Sequence, residues 1–304
     1  MSKKIIERIH KETDTADLLH LLTALPSSDL NSLLMEVMRR KTERMTAGDL
    51  LRSYADNRFV KPSDVDFISF LTFELHLLQK AQTFGFTPLE LSPVSPLGSC
   101  AAVATVNQNK ILSALRSTEV VADATNLLAL EAVSRRKKIQ FDSTDIQLCT
   151  VHRHLRTPYM PPPFLPHFKI FCLLTAGKDK GNLLFEKRHL IEHIRFTTDY
   201  LKSFSGIESV KVVLKSTRKQ NPDFLPLCDT IMTETKGVAF EVEDVEQSYY
   251  QVIQFKIFVT IGQKEFEIAD GGLVDWSQKL ANNRKERMLT SGIGIELLFK
   301  LLGF

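Results

Sequence analysis

An α+β fold is what this sequence predicts, and three observations carry the prediction. From about residue 145 onward, several antiparallel-looking strand segments are mixed with helical ones, an arrangement that argues for helices packed on a mostly antiparallel sheet. Ahead of them, residues 1–62 read as short helices with apolar positions at helical period. Neither a Walker A loop nor a Gly-x-Gly-x-x-Gly turn occurs, so nothing points to a doubly wound nucleotide fold.

The first helix candidate runs through Leu18, Leu19, Leu21, Leu22 and Leu25, with Thr13 or Asp14 as its cap. Pro26 breaks it, and Ser28 is placed to cap a second helix from Leu30 to Met45, where Leu30, Leu33, Leu34, Val37 and Met38 share a face. Thr46-Ala-Gly-Asp49 resembles a capping box for a third. These elements make a small helical domain over residues 1–62, and a second domain takes residues 63–304. It opens with Pro62-Ser-Asp, where Ser63 can cap a long helix through Phe67, Phe70, Phe73, Leu77 and Ala81 that stops at Gly85.

Pro88 to Pro93 then reads as extended, residues 99–122 as a strand or turn, a short helix near 109–114 and a strand at 119–122. Asp123-Ala-Thr opens another helix that ends in the basic run Ser134 to Lys138. Strands fit 146–151, 168–174, 210–215, 237–242, 249–261 and 266–270, with a helix at about 187–203 and a proline-rich loop from Tyr159 to Phe164.

Composition excludes several classes. With 304 residues, 43% hydrophobic and 25% charged, the chain can bury a core without disulfides or metals. A formal charge of +3 is no argument for nucleic acid. Cys100, Cys149, Cys172 and Cys228 show no CxxC spacing and read as free thiols. The N-terminus is charged at once, and no apolar run approaches the roughly 20 residues of a spanning helix, so a cytoplasmic location is expected and no membrane partner.

Several stretches, in order, resemble the signature motifs of the class II aminoacyl-tRNA synthetases, most of all the histidyl branch that includes the ATP phosphoribosyltransferase regulatory subunit. The long helix followed by Phe84-Gly-Phe-Thr-Pro-Leu-Glu-Leu-Ser-Pro93 resembles motif 1, which implies a class II antiparallel sheet flanked by helices and a homodimer. Val121-Ala-Asp-Ala-Thr125 stands where the family meets its amino acid with an acidic residue and a threonine, which implies that role for Asp123 and Thr125; on local grounds Asp123 serves equally as a helix cap.

His152-Arg-His-Leu-Arg156 and His167-Phe-Lys-Ile-Phe171 resemble motif 2, which implies ATP contacts by Arg153 and Phe168, with Arg156 and Lys169 beside them. Read alone, Arg153 and Arg156 are solvated surface arginines. Leu155 stands where that motif has a glutamate. Glu267-Ile-Ala-Asp-Gly-Gly-Leu-Val-Asp275 resembles the strand and glycine turn before motif 3, which brings in Asp270 and Asp275. Ser291-Gly-Ile-Gly-Ile-Glu-Leu-Leu298 keeps the Gly-x-Gly-x-Glu frame of motif 3 with Glu296, but Leu297 replaces the arginine that clamps the ATP γ-phosphate, and leucine has no donor fork.

His189-Leu-Ile-Glu-His193 has an inverted zincin spacing. With no distant third ligand and charged neighbours, it reads as a solvated helix face, and no metal site is assigned. The leading functional reading is a synthetase paralogue that has lost adenylation and keeps a pocket for an amino acid or nucleotide-like ligand in sensing or regulation. The rival is an active ligase using ATP with Mg for a non-tRNA acceptor. A third reading is a protein- or RNA-interaction module acting through the N-terminal helices, where the basic face of Arg39, Arg40, Lys41 and Arg44 reads as solvated.

Overall fold

Apolar residues at helical spacing, punctuated by proline and glycine, build the N-terminal third of the chain. The computed structural model describes residues 3–13, 17–159, 165–217, 222–244 and 249–304. Helices α1 (Lys3–Thr13), α2 (Leu18–Ala24), α3 (Ser27–Thr42) and α4 (Ala47–Asp56) come first, then a 3-10 turn at Arg58–Val60. Thr46 and Asp49 form the expected capping box: the Thr46 hydroxyl accepts from the Asp49 amide at 3.2 Å, and the Asp49 carboxylate accepts from the Thr46 amide at 3.0 Å. The other caps differ. Asp17 caps α2 by accepting from the His20 amide at 3.0 Å, while Asp14 lies outside the described residues. Helix α3 starts at Ser27 behind Pro26, so Ser28 is inside it. None of α2, α3 and α4 buries a side chain fully, and Leu19, Leu33, Val37, Leu50 and Leu51 stay exposed.

The long helix is α5 (Phe67–Thr83), and its cap is Asp66, which accepts from the Ser69 amide at 2.8 Å. Ser63, expected in that role, reaches Glu296 instead. Gly85 ends the helix at φ +89°, in the left-handed region that glycine enters most readily. There follow β1 (Thr87–Pro88), β2 (Val94–Pro96), α6 (Ser99–Val103), β3 (Ser113–Ala114) and β4 (Thr118–Val120). The short helix expected at 109–114 is a 3-10 turn at Gln108–Lys110 running into β3. The real helix, α6, is held by Glu119, whose fully buried carboxylate accepts from the Gly98 and Cys100 amides at 2.8 and 3.0 Å. That cap comes from a neighbouring strand, so no local pattern announces it.

Helix α7 (Ala124–Lys138) starts at Asp123 and ends in its basic run, as expected. The rest of the chain is β5 (Ile146–Leu155), β6 (His167–Lys178), α8 (Leu184–Lys202), β7 (Ser209–Ser216), α9 (Phe224–Glu234), β8 (Ala239–Asp244), β9 (Gln251–Ile261), β10 (Lys264–Val274), α10 (Trp276–Ala281), β11 (Glu286–Ile293) and α11 (Ile295–Leu301). Strands β8 and β9 begin slightly later than the sequence suggested. The proline run at 160–164 lies outside the described residues. Gly271 and Gly272 are not a turn but lie within β10. A Cβ on Gly271 would stand 2.5 Å from the Phe255 ring and from Ser291 Cβ, so the glycine is required by close packing between strands.

The large sheet has the order β1-β5-β6-β11-β10-β9-β7-β8. Pairing is antiparallel from β5 through β7, and β1 and β8 join the two edges in parallel. A small sheet, β2-β4-β3, packs beside it. Alternation sorts side chains to two faces. Phe171 and Leu173 join the core under α5, α8, α9 and α11, while Cys172 and Leu174 face α7. Beyond α7, the same face is open over β7–β9 and carries cross-strand pairs such as Lys211–Glu265 at 2.8 Å and Lys215–Glu243 at 2.6 Å.

One enclosed ion pair holds α7 to the sheet. Arg136 and Glu286 are both fully buried; the guanidinium donates to the Glu286 carboxylate, to the Thr144 carbonyl at 2.6 Å and to the Asp142 carbonyl at 3.0 Å. Arg136→Met would leave Glu286 buried without its partner, and is expected to cost about 3–5 kcal/mol, read as a lower urea midpoint. Adding Glu286→Leu to that variant is expected to restore most of the loss.

Candidate ligand site

The N-terminus of α7 opens onto the row where β6, β11, β10 and β9 meet. Cys172, Gly292, Asp270 and Lys256 stand directly opposite one another across those four strands, so they share one face. Between this row and α6–α7 lies a cavity of about 560 Å³, to which Cys100, Lys110, Asp123, Thr125, His154, Arg156, Tyr249, Tyr250, Glu267 and Asp270 contribute.

Asp123, Thr125, Arg156 and Asp270 therefore line one cavity. Asp123 caps α7 and lines that cavity as well. Its Oδ1 accepts from the Thr125 amide at 3.0 Å and from the Thr125 hydroxyl at 2.7 Å, which caps α7 and leaves Oδ2 toward the cavity without a described partner. Arg156 donates from Nε to the Ala122 carbonyl at 3.2 Å, and its guanidinium carbon lies 5.3 Å from the centre of the Phe168 ring. Phe168 thus backs the arginine.

Four nominated residues lie elsewhere. Arg153 pairs across the strands with Lys169, on the opposite face from His154 and Arg156. There Arg153 donates to Glu296 Oε2 at 3.1 Å, and Glu296 also accepts from the Lys169 amide at 3.1 Å and from Ser63. Lys169 Nζ binds Glu74 at 2.6 Å. These groups join β5, β6, α5 and α11 and do not line the cavity. The parity of a strand is the reason: one residue of offset reverses the face. Asp275 stands at the N-cap of α10 and pairs with Lys279 at 2.9 Å, again away from the cavity. Leu155 follows Arg153 to the far face, where both border a second groove.

Tyr249, Tyr250 and Cys172 were not foreseen, and His154, read as a pocket or surface residue, is in the lining. Tyr250 donates its hydroxyl to Asp270 Oδ2 at 3.2 Å. Two backbone features aim it: the β9–β10 register shifts between Gly272 and Leu273, and Val252 takes φ +62°, a β-bulge geometry that a β-branched residue rarely adopts. Gly272 leaves room for the ring, since a Cβ there would meet Tyr250 Cδ1 at 2.7 Å. The pair Tyr-Tyr after a charged segment was the available signal, but the bulge that turns it inward is invisible in sequence.

His154 is 1% exposed, and its Nε2 accepts from the Ala124 amide at 3.1 Å. The proton of the neutral ring then sits on Nδ1, which has no partner among the described residues. Burial holds this imidazole's pKa down at about 4. His189 and His193, expected on a solvated face, are both fully buried. His193 bridges the Ser291 and Thr175 hydroxyls at 2.8 and 2.9 Å. His189 bridges Asp145 at 3.1 Å and Glu192 at 2.8 Å; burial works against its charge, yet the two carboxylates raise its pKa. Among the described residues no group of three or more ligand side chains is placed to hold a metal ion.

Three solved structures share the architecture. An ATP phosphoribosyltransferase regulatory subunit/histidyl-tRNA synthetase from Bacillus halodurans matches with a TM-score of 0.63 at 12% identity, over 81% of this chain and 82% of that one. The fold is that of a class II synthetase catalytic domain. Apo histidyl-tRNA synthetase from S. aureus gives 0.62 at 12% identity over 80% and 68% of the two chains, and a histidine–tRNA ligase subunit from Alicyclobacillus acidocaldarius gives 0.58 at 10% over 80% and 96%. No family profile and no curated protein sequence matches the chain. In the synthetase-type frame, the cavity lies where α7 meets the open face of the antiparallel sheet.

Burial, and next the nearby Asp123 charge, push the Asp270 carboxyl up to about 6. A carboxyl raised in the folded state binds more protons there than in the unfolded chain. Its presence therefore costs stability as pH rises from about 4 to about 6, and the cost is complete above that window. Asp270→Asn keeps an acceptor for Tyr250 and is expected to raise stability by about 1–3 kcal/mol at pH 7. The gain should vanish below pH 4 in a series of urea titrations.

Proposed function

We propose that this synthetase-type paralogue binds a small zwitterion of the amino-acid class in its cavity, in a sensing or regulatory role, without activating it through ATP. The observation that carries the reading is the division of charge around the cavity. Asp123 and Asp270 supply acceptors for an ammonium group, and Arg156 supplies a guanidinium whose terminal nitrogens have no partner among the described residues. Charge-assisted hydrogen bonds of both signs suit a ligand that is itself bipolar.

A triphosphate fits poorly. The cavity lining has three carboxylates (Asp123, Glu267, Asp270) against two cations (Lys110, Arg156). Arg153 is committed to Glu296 on the far face, and Leu297 offers no charge. The residues thus do not fit ATP with Mg, and no step is drawn through them. The open sheet face beyond the cavity, with its lysines already paired to glutamates, gives an RNA backbone little to displace.

Calorimetric titration with a panel of free amino acids tests this reading. Binding of at least one is expected, with no ATP–pyrophosphate exchange for any of them; robust exchange would favour the ligase instead. Arg156→Ala is expected to weaken binding of the best ligand at least tenfold, about 1.4 kcal/mol, and unchanged affinity counts against the site. By analogy of fold, a homodimer forms through α5, where Phe67, Ile68, Leu71 and Leu75 are exposed. Light scattering should give twice the chain mass, and Leu71→Asp should give a monomer.

The N-terminal helices favour a protein over RNA as any further partner. Arg39 and Arg40 are held by Glu36 at 2.7 Å, and Arg52 by Asp49, while Leu33, Val37, Leu50 and Leu51 stand exposed beside them.

A further inference from the structure

We infer that the ligand of this cavity carries a second positive charge, in its side chain, and that Asp270 receives it. The inference rests on the zwitterion reading of the same cavity and narrows it to basic amino acids, meaning an ammonium or guanidinium on an aliphatic chain.

Asp270 has no ion pair of its own among the described residues. Its strand neighbour Lys256 stands directly opposite it on β9 and shares its face. That ammonium is taken by both oxygens of Glu267, at 2.8 and 3.0 Å. Arg156 is turned to the Ala122 carbonyl and the Phe168 ring. Asp270 is left with a single described partner, the neutral Tyr250 hydroxyl at 3.2 Å on Oδ2, and Oδ1 has none. A half-buried carboxylate given one neutral hydrogen bond and no ion pair is a poor state. A cation delivered by a ligand completes it.

A second carboxylate makes the need larger. Asp123 lines the same cavity and repels Asp270, yet it has its own role as the cap of α7 and keeps Oδ2 for a ligand ammonium. One ammonium cannot neutralise both carboxylates, and no protein cation is hydrogen-bonded to either among the described residues; the charge of Lys256 favours the ionised Asp270 only from its place on Glu267. Tyr249, stacked 4.2 Å from Tyr250, also lines the cavity and adds apolar surface beside which a methylene chain can lie.

The competing arrangement is a protonated Asp270 that donates to a neutral ligand group. The two differ in the sign of their pH dependence. A cation needs the ionised carboxylate, so its binding tightens as pH rises through about 6 and then levels. A neutral acceptor needs the protonated form, so its binding would tighten as pH falls.

Titration calorimetry of the full chain decides the matter, with lysine, ornithine and arginine set against the neutral isosteres norleucine, norvaline and citrulline. At pH 7.5 the best basic ligand is expected to bind about thirtyfold more tightly than its neutral counterpart. Its affinity should fall roughly fivefold between pH 6 and pH 5. Asp270→Asn should erase the gap between lysine and norleucine, and circular dichroism should show it folded. Tyr250→Phe, which removes the hydroxyl that helps hold the charge, should move the pH midpoint upward. Equal affinity for the basic and neutral members overturns this inference and leaves the zwitterion reading standing. Tightening at low pH overturns it in favour of the protonated carboxyl. If no member of either set binds, this inference fails, and the full amino-acid panel decides the zwitterion reading separately.

Discussion

Strand parity is the constraint on which the rest of this structure depends. Five antiparallel contacts, from β5 through β6, β11, β10 and β9 to β7, fix which side chains stand opposite one another. Once Cys172 faces α7, Gly292, Asp270 and Lys256 must follow it, and Phe171, Leu173 and Ser291 must face α8. The cavity and the main core are therefore two sides of the same strands. A single insertion in any of them would exchange the two.

The same rule explains what was legible in the sequence. Much of the frame of helices and strands could be read because those elements declare themselves locally: the Thr46–Asp49 capping box, Gly85 after α5, Asp123 before α7. Asp123 and Thr125 were nominated by their resemblance to a synthetase motif, and the N-cap that Asp123 forms is what sets both beside the cavity. Arg153, nominated from the motif string, stands away from this cavity. It lies three residues from Arg156 on a strand, and without knowing where the strand starts to pair, either arginine fits a motif written as a string. The structure puts Arg156 beside the cavity and ties Arg153 to Glu296.

Other features were out of reach because their causes are distant in the chain. Glu119 caps α6 from another strand. His189 and His193 looked solvated among charged neighbours, yet Asp145 and Ser291, far away in sequence, give them buried partners. Tyr250 reaches Asp270 only because a bulge at Val252 and the bare backbone of Gly272 admit its ring. Polar residues whose partners lie more than a few positions away cannot be sorted into buried and solvated by pattern alone.

The cluster beneath Arg153 also bears on how the chain can be divided. His167 donates from Nε2 to the Lys61 carbonyl at 2.6 Å, and Ser63 donates to Glu296, so the segment after α4 closes the polar layer between β5, β6 and α11. A cut after residue 62 would look natural from helix content, but cleavage there disturbs that layer and leaves the imidazole proton without a fixed acceptor. The seam between the helical segment and the sheet is thus a place where proteolysis would loosen the fold it was meant to isolate.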